Sequence, residues 1–204
     1  MEAQTTNERL VAKSFICYLA IKLLPMKFQI TFILIFLFSG IGYAQNKLEH
    51  ELKQAFQLGQ QALKSAEKTG EYLSFFEGAD DNTEIKYHFL QAREEMDSLF
   101  IYTKQAAYKS SDAAYFAKTN PDGQLEQKAN EAKKEFRTSL KTLDDVIKKI
   151  DEYIIHGSSN RETYINQRLQ DFELCTNQLK QANQKLQQAL MMLTANPAAP
   201  NLEN

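Results

Sequence analysis

The sequence predicts an all-α protein: an elongated up-down-up-down four-helix bundle with coiled-coil-like heptad packing, preceded by a hydrophobic signal segment. Glycine and proline are scarce, with 7 and 4 in 204 residues, and the intervals between them are rich in Ala, Leu, Lys, Gln and Glu, which are good helix formers. Within these intervals apolar residues recur at alternating spacings of four and three, as in helices packed lengthwise. We therefore expect one helical domain after the signal segment.

Residues 26–44, MKFQITFILIFLFSGIGYA, are arranged like a secretory signal peptide. Lys27 supplies a short basic start, residues 30–38 form an apolar run, and Ala44 is a small residue at the position that a signal peptidase accommodates. We expect cleavage between Ala44 and Gln45.

Residues 1–25 are expected to be a mis-annotated upstream extension, because their apolar stretch is interrupted by Lys22 and closed by Pro25. In the alternative, residues 15–38 form one membrane anchor, long enough for the roughly 20 residues that a bilayer span needs. A charge near the bilayer centre opposes this, since it costs about 2.5–3.5 kcal/mol on insertion scales. Both hypotheses place residues 45–204 outside the cytoplasm.

The end of the apolar run, Gly-Tyr-Ala-Gln, resembles export signals common in the Bacteroidota, which implies the periplasm of a Gram-negative envelope. Cys17 follows Ile16 rather than a small residue, so the segment lacks the signature of a lipoprotein. The predicted location is periplasmic or secreted; the alternative is an inner-membrane anchor with residues 45–204 in the periplasm. Cleavage leaves Cys175 as the single thiol, which allows no internal disulfide.

The charge of the predicted mature chain argues against some classes of partner. The whole chain has 24 Lys plus Arg and 26 Asp plus Glu; without the four basic and two acidic residues before Gln45, 20 and 24 remain, a formal charge of −4. Such a chain has no basic excess for nucleic acid or anionic lipid. The expected partners are a protein of the cell envelope or a second copy, with membrane contact only through an uncleaved N-terminal segment.

Four helices are predicted, at about 46–69, 82–119, 121–156 and 160–195, followed by a disordered tail at 196–204. The short connections between the last three helices make these helices antiparallel neighbours. The predicted seams are Leu48, Leu52, Ala55, Gly59, Ala62 and Ala66; Ile85, Phe89, Ala92, Met96, Leu99, Thr103, Ala106, Ser110, Ala113 and Ala117; Leu125, Ala129, Ala132, Phe136, Ser139, Leu143, Val146 and Ile150; Ile165, Leu169, Phe172, Thr176, Leu179, Asn183, Leu186, Leu190 and Leu193.

Stop and start signals flank these helices. Gly70 suits a left-handed cap after the first helix, Gly157 is expected to end the third, and residues 120–123, Asn-Pro-Asp-Gly, separate the second from the third. Asp81 with Glu84, and residues 159–162, have the spacing of capping boxes.

A second stripe runs along the predicted second helix, since Tyr87, Ile101, Tyr108 and Tyr115 fall at multiples of seven, with Glu94 in the remaining position. One interpretation is a helix packed on two sides. The other is a partner-binding face, because tyrosine combines a large apolar ring with a polar tip.

The link from the first to the second helix, residues 71–83, is too apolar for a solvated loop. Its aromatic residues either cap the end of the core or form an exposed tip that binds a partner. Tyr72, Phe75 and Phe76 therefore join the helix-two stripe as candidate partner-binding residues.

Two Glu-x-x-x-His pairs, Glu84 with His88 and Glu152 with His156, would lie at one level in a hairpin of helices two and three. Two His and two Glu can hold a transition metal. However, di-iron carboxylate bundles use Glu-x-x-His on inward faces, so we interpret these pairs as solvated helix ends and expect no metal.

The remaining polar residues have structural interpretations. The acidic residues of 80–84 fit helix capping, because the spacing and central glycine of an EF-hand are absent. Cys175 is expected to be a packed side chain, and Thr176 and Asn183 to specify helix register.

No phosphate loop, zinc spacing, catalytic triad or cofactor fingerprint occurs. The sequence predicts a non-catalytic accessory or structural protein of the envelope, with no cofactor; a metal- or ligand-binding bundle and a membrane-anchored component of an envelope or secretion complex are the alternatives.

Overall fold

The structure is a computed structural model that describes residues 26–75, 81–119, 123–157 and 161–195, with side chains placed from Tyr43 onward, those of residues 82, 161 and 162 excepted. The predicted tail at 196–204 and Phe76 lie outside the described residues. The chain forms two compact units, Met1–Ala44 and Gln45–Asn204.

The described chain is all-helical, without strands. Its helices are α1 (Met26–Ser74), α2 (Asn82–Ala117), α3 (Gln124–His156) and α4 (Arg161–Ala195). The part of α1 in the second unit packs with α2, α3 and α4 around one core. At 1.5 Å per residue, α2, α3 and α4 are each about 50 Å long.

Antiparallel contacts join α1 to α2 at two levels. Early in α1, Glu51 accepts a 2.8 Å hydrogen bond from Lys109, late in α2. Late in α1, Lys68 lies 3.2 Å from Glu95, early in α2. The two helices therefore run in opposite directions.

Comparable contacts complete the ring of four helices. The rings of Phe89 on α2 and Tyr153 on α3 lie 4.9 Å apart. Lys185 on α4 lies 3.1 Å from Glu131 on α3, and its hydrogen bond lowers the pKa of that carboxyl. Gly59 on α1 lies directly against the side chain of Asn183 on α4. Each helix therefore has two neighbours.

The predicted seams of α1, α2 and α3 are buried at every position. Their largest fully buried members include Phe89 and Phe136, while long runs of Ala and Ser let the helices approach closely. Three seam hydroxyls are satisfied inside the core, because Thr103 and Ser110 donate to carbonyls one turn back and Ser139 donates to the Cys175 carbonyl.

In α4 the predicted seam is wrong at three positions. Leu169, Thr176 and Leu190 are only half-buried, whereas the residue before each of them, Arg168, Cys175 and Ala189, is buried. Two of the buried residues are small, and Cys175 lies directly against Ser139, with 3.1 Å between sulfur and oxygen. This close contact with α3 rotates α4 so that Cys175, rather than Thr176, faces the core.

Some predicted helix ends are confirmed and one is wrong. Gly157 has a φ of 70° and donates to the Tyr153 carbonyl at 2.8 Å, and Asp81 caps α2 by accepting from the Thr83 amide at 3.1 Å. Gly70 is not a cap: α1 continues to Ser74, and Gly70 has no positive φ. Leu73 explains the continuation, since it is fully buried one turn beyond Gly70. At its other end α1 begins at Met26 rather than 46, while α2 and α3 lie within 82–119 and 121–156.

Candidate protein-interaction site on α2

The exposed side of α2 carries an apolar line that we call the α2 stripe: Tyr87, Glu94, Ile101, Tyr108 and Tyr115. A spacing of seven residues returns to nearly the same side of an α-helix. Because α2 buries its seam of Ala, Phe, Met and Leu on the opposite side, this line faces away from the bundle. The exposed fractions are 58% for Tyr87, 52% for Ile101, 59% for Tyr108 and 67% for Tyr115.

The interpretation of the stripe as a second packed side of α2 is therefore wrong for the single chain. The seven-residue spacing is the same for a core seam and for an interface, and only burial distinguishes them. Leu90, which is 47% exposed, lies beside the stripe between Tyr87 and Glu94. Elsewhere in the described helices α3 and α4, the exposed large apolar residues are scattered: Ile155, Leu174 and Met191.

Local contacts hold parts of the stripe in place. The ring of Tyr87 packs edge-on against His88 at 5.5 Å, and Tyr115 packs in the same way on Phe116. A preordered ring loses little side-chain entropy when a partner covers it, which suits an interface.

Charged groups border the stripe on the side facing α3. Arg93 contacts Asp97 one turn along α2 and Asp151 on α3, the latter at 3.1 Å. Burial lowers the pKa of Arg93, but Asp97 and Asp151 outweigh this effect and raise it. Lys104 is exposed and has no ion pair with a described residue. The surface is thus an apolar line with a charged border, as in protein interfaces.

The two described aromatic residues of the link, Tyr72 and Phe75, differ in their surroundings and do not form one exposed tip. Tyr72 belongs to α1, is half-buried and packs against the core. Phe75 is 56% exposed and stacks on His88, with 5.1 Å between ring centroids. Phe75 therefore lies close to Tyr87 through their shared neighbour His88.

The four candidate metal ligands are not brought together. Glu84, Glu152 and His156 are exposed, and His88 packs between aromatic rings. Among the described residues, no group of three or more His, Cys, Asp or Glu is placed to hold a metal ion.

Cys175 is a buried free thiol, and burial raises its pKa to about 11 while Ser139 opposes the shift. A thiol with so high a pKa is a poor nucleophile at neutral pH. Its neighbour Thr176 bonds the Phe172 carbonyl within α4 and is only half-buried. Asn183 is 6% exposed, so one of the two predicted register residues is buried.

Two features were not predicted from the sequence. A groove of about 480 Å³ lies between α1 and α4, lined by apolar residues such as Leu63, Ala66 and Phe172. Arg168 is 3% exposed, with its guanidinium over the Tyr164 ring and 3.1 Å from Asp171. The small residues of α1 opposite Phe172 were a sequence signal for the groove. No sequence signal indicated the burial of Arg168, because a single cation on a helix normally lies at the surface.

Comparison of the chain with protein-family models, curated proteins and solved structures found no match. From Tyr43 onward, where the structure places side chains, no helix of the described residues is long and apolar enough to cross a membrane.

Proposed function

We propose that this chain is an exported, non-catalytic helical bundle that binds protein through the α2 stripe, as an accessory of a bacterial envelope assembly. The observation that carries the proposal is the exposure of four large apolar side chains in one line, each more than half accessible. Contiguous exposed apolar surface on a soluble protein marks an interaction site more often than scattered apolar residues do. Tyrosine is also enriched at interfaces.

The export part of the proposal rests on the signal-like segment 26–44 and on where packing begins in α1. Tyr43, beside the proposed cleavage position, is 65% exposed, and Ala44 and Gln45 are half-buried. Leu48 is the first described side chain of α1 that is buried in the core. Cleavage between Ala44 and Gln45 would leave every described core residue in the mature protein. The mature protein is then periplasmic.

Coiled-coil-like packing is part of the same proposal. The buried seams of α1, α2 and α3 keep the alternation of four and three that places side chains of one helix between those of the next. Such packing makes the bundle a stiff support and leaves the outer side of α2 available to a partner.

The test replaces Tyr108 and Tyr115 together by Ser in the full chain. We expect loss of partner capture in whole-envelope pull-downs, with unchanged helical circular dichroism, because both rings are mostly exposed. The matched control is Leu174→Ser with Met191→Ser on α4, at similar exposure, which should capture the partner normally. Capture that survives the tyrosine double variant contradicts the proposal, and loss of helical circular dichroism shows a structural role instead.

A further inference from the structure

We propose that the occupant of the α2 stripe is a second copy of this chain, with the two α2 helices antiparallel about a twofold axis at Ile101. This inference rests on the proposed function and names its partner. A twofold interface must be complementary to itself, since the same patch is used by both copies. The α2 stripe meets this requirement in its spacing, its charges and its one acidic residue.

The spacing of the stripe is symmetric about Ile101. Glu94 and Tyr108 lie seven residues to either side, and Tyr87 and Tyr115 lie fourteen, so consecutive members are about 10.5 Å apart along the helix. In an antiparallel pair, Ile101 meets Ile101 of the other copy. The Tyr87 ring of each copy comes level with the Tyr115 ring of the other, and both rings are exposed in the single chain.

The charges beside the stripe select the antiparallel direction. Asp97 and Lys104 lie on the same side of the stripe, about one turn before and one turn after Ile101. The antiparallel arrangement sets Asp97 of each copy beside Lys104 of the other, giving two identical ion pairs. A parallel arrangement instead brings Asp97 next to Glu94 of the other copy, which repeats a like-charge contact twice. Lys104 is exposed and has no ion pair among the described residues, so it is free to make this contact. Asp97 already contacts Arg93 of its own helix, but 63% of its side chain is exposed, so a second cation can reach it.

Glu94 interrupts an otherwise apolar line, and the antiparallel arrangement gives it a donor. Tyr108 of the other copy lies level with it, so that the phenol can donate a hydrogen bond to the carboxylate. A carboxylate covered without a donor opposes association, whereas one that accepts a phenol hydrogen bond is tolerated. All three properties thus point to the same arrangement.

Single cysteines in the full chain test it, in a Cys17→Ser background that leaves the buried Cys175 as the only natural thiol. The probe is a short bismaleimide added to whole cells. Ile101→Cys should shift the protein to twice its monomer mass. Tyr87→Cys alone and Tyr115→Cys alone should give no dimer, because each position lies roughly 40 Å from the same position in the other copy. The chain that carries both cysteines should dimerise, because position 87 of one copy is level with position 115 of the other.

Leu174→Cys is the matched control, since Leu174 is 53% exposed on α4 and Ile101 is 52% exposed. A dimer from Leu174→Cys in equal yield shows random collision and overturns the proposal. A dimer from Tyr87→Cys alone overturns the antiparallel arrangement. If Ile101→Cys joins a different protein, the second copy is excluded while the proposed function stands; no product at any stripe position contradicts both.

The two ion pairs are tested in the Ile101→Cys chain. Asp97→Lys and Lys104→Asp should each reduce the yield of dimer, and the two together should restore it. Failure of the double change to restore the yield overturns the pairing of Asp97 with Lys104.

Discussion

The carboxylate of Glu51 on α1 is nearly buried, with 8% of its side chain exposed, and accepts a 2.8 Å hydrogen bond from the Nζ of Lys109 on α2. This pair joins the two helices near the start of the described core. Its counterpart further along, Lys68 with Glu95, is more exposed, at 53% and 25%, and longer, at 3.2 Å. The same two helices therefore carry a buried and a solvated ion pair that can be compared directly.

Removing the Lys109 cation should destabilise the bundle. Lys109→Ala leaves Glu51 in the core without its partner, and we expect the free energy of unfolding to fall by about 2 kcal/mol, below the full range for buried pairs because Lys109 is partly exposed. Lys68→Ala, the control at the solvated pair, should cost less than about 1 kcal/mol. Urea unfolding followed by circular dichroism measures both. Equal losses would show that burial of Glu51 has no effect on the strength of its pair.

Gly59 should tolerate no side chain. A Cβ there would lie 2.3 Å from Oδ1 of Asn183 and within 3.0 Å of its other amide atoms, so turning the amide does not relieve the clash. Because Asn183 is buried, we expect Gly59→Ala to reduce stability by about 1–3 kcal/mol, as overpacking does. Asn183→Ala added to Gly59→Ala should recover part of this loss in the same unfolding measurement.

Gly70 is the matched control for Gly59. Its nearest neighbour for an added Cβ is Phe172 at 3.9 Å, an ordinary contact, and α1 is helical through this position. Gly70→Ala should therefore raise stability by about 0.5–1 kcal/mol, the usual gain for alanine in a helix. Destabilisation at Gly70 would contradict the continuation of α1 to Ser74.

The Cys175 thiol should make stability fall at alkaline pH. Burial raises its pKa from the ordinary value of 9.0 to about 11, and hence the folded protein favours the neutral thiol. This contribution is fully present below the pKa of the unfolded thiol and is lost as pH rises from about 9 to about 11, amounting to about 2–3 kcal/mol. Cys175→Ala should lack this loss, so the difference in unfolding free energy between pH 8 and pH 11 should be smaller in the variant.

A thiol reagent should label native Cys175 at pH 8 only when urea is added; rapid labelling without urea would contradict its burial.

Most of the bundle was predictable because the predicted seams of three helices are buried at every position. Ile85 to Ala117 and Leu125 to Ile150 hold their spacing, and the structure buries every predicted member. In α4 the pattern was ambiguous, since both Cys175 and Thr176 were small enough for the core. The choice between them depends on the approach of Ser139 on α3, which lies outside the local sequence. Gly70 misled for a related reason: its freedom to end a helix was overridden by burial of Leu73.

The candidate site was predictable in its residues but not in its exposure. A tyrosine line at seven-residue spacing fits a second packed side and a free surface equally well, and the outcome depends on how many helices surround α2. That the two Glu-x-x-x-His pairs form no metal-binding group was likewise invisible, because spacing within one helix gives the face of a residue only relative to that helix. The wholly local signals, Asp81 and Gly157, were read correctly.

The most direct test of the α2 stripe as a protein-interaction surface is photocrosslinking in growing cells. A photoreactive phenylalanine analogue replaces Tyr108, and the control carries it at Leu174, which has similar exposure on α4. We predict a covalent protein adduct from position 108 and none from position 174. No adduct at 108, or equal adducts at both positions, would contradict the proposal that α2 is the surface through which this bundle acts.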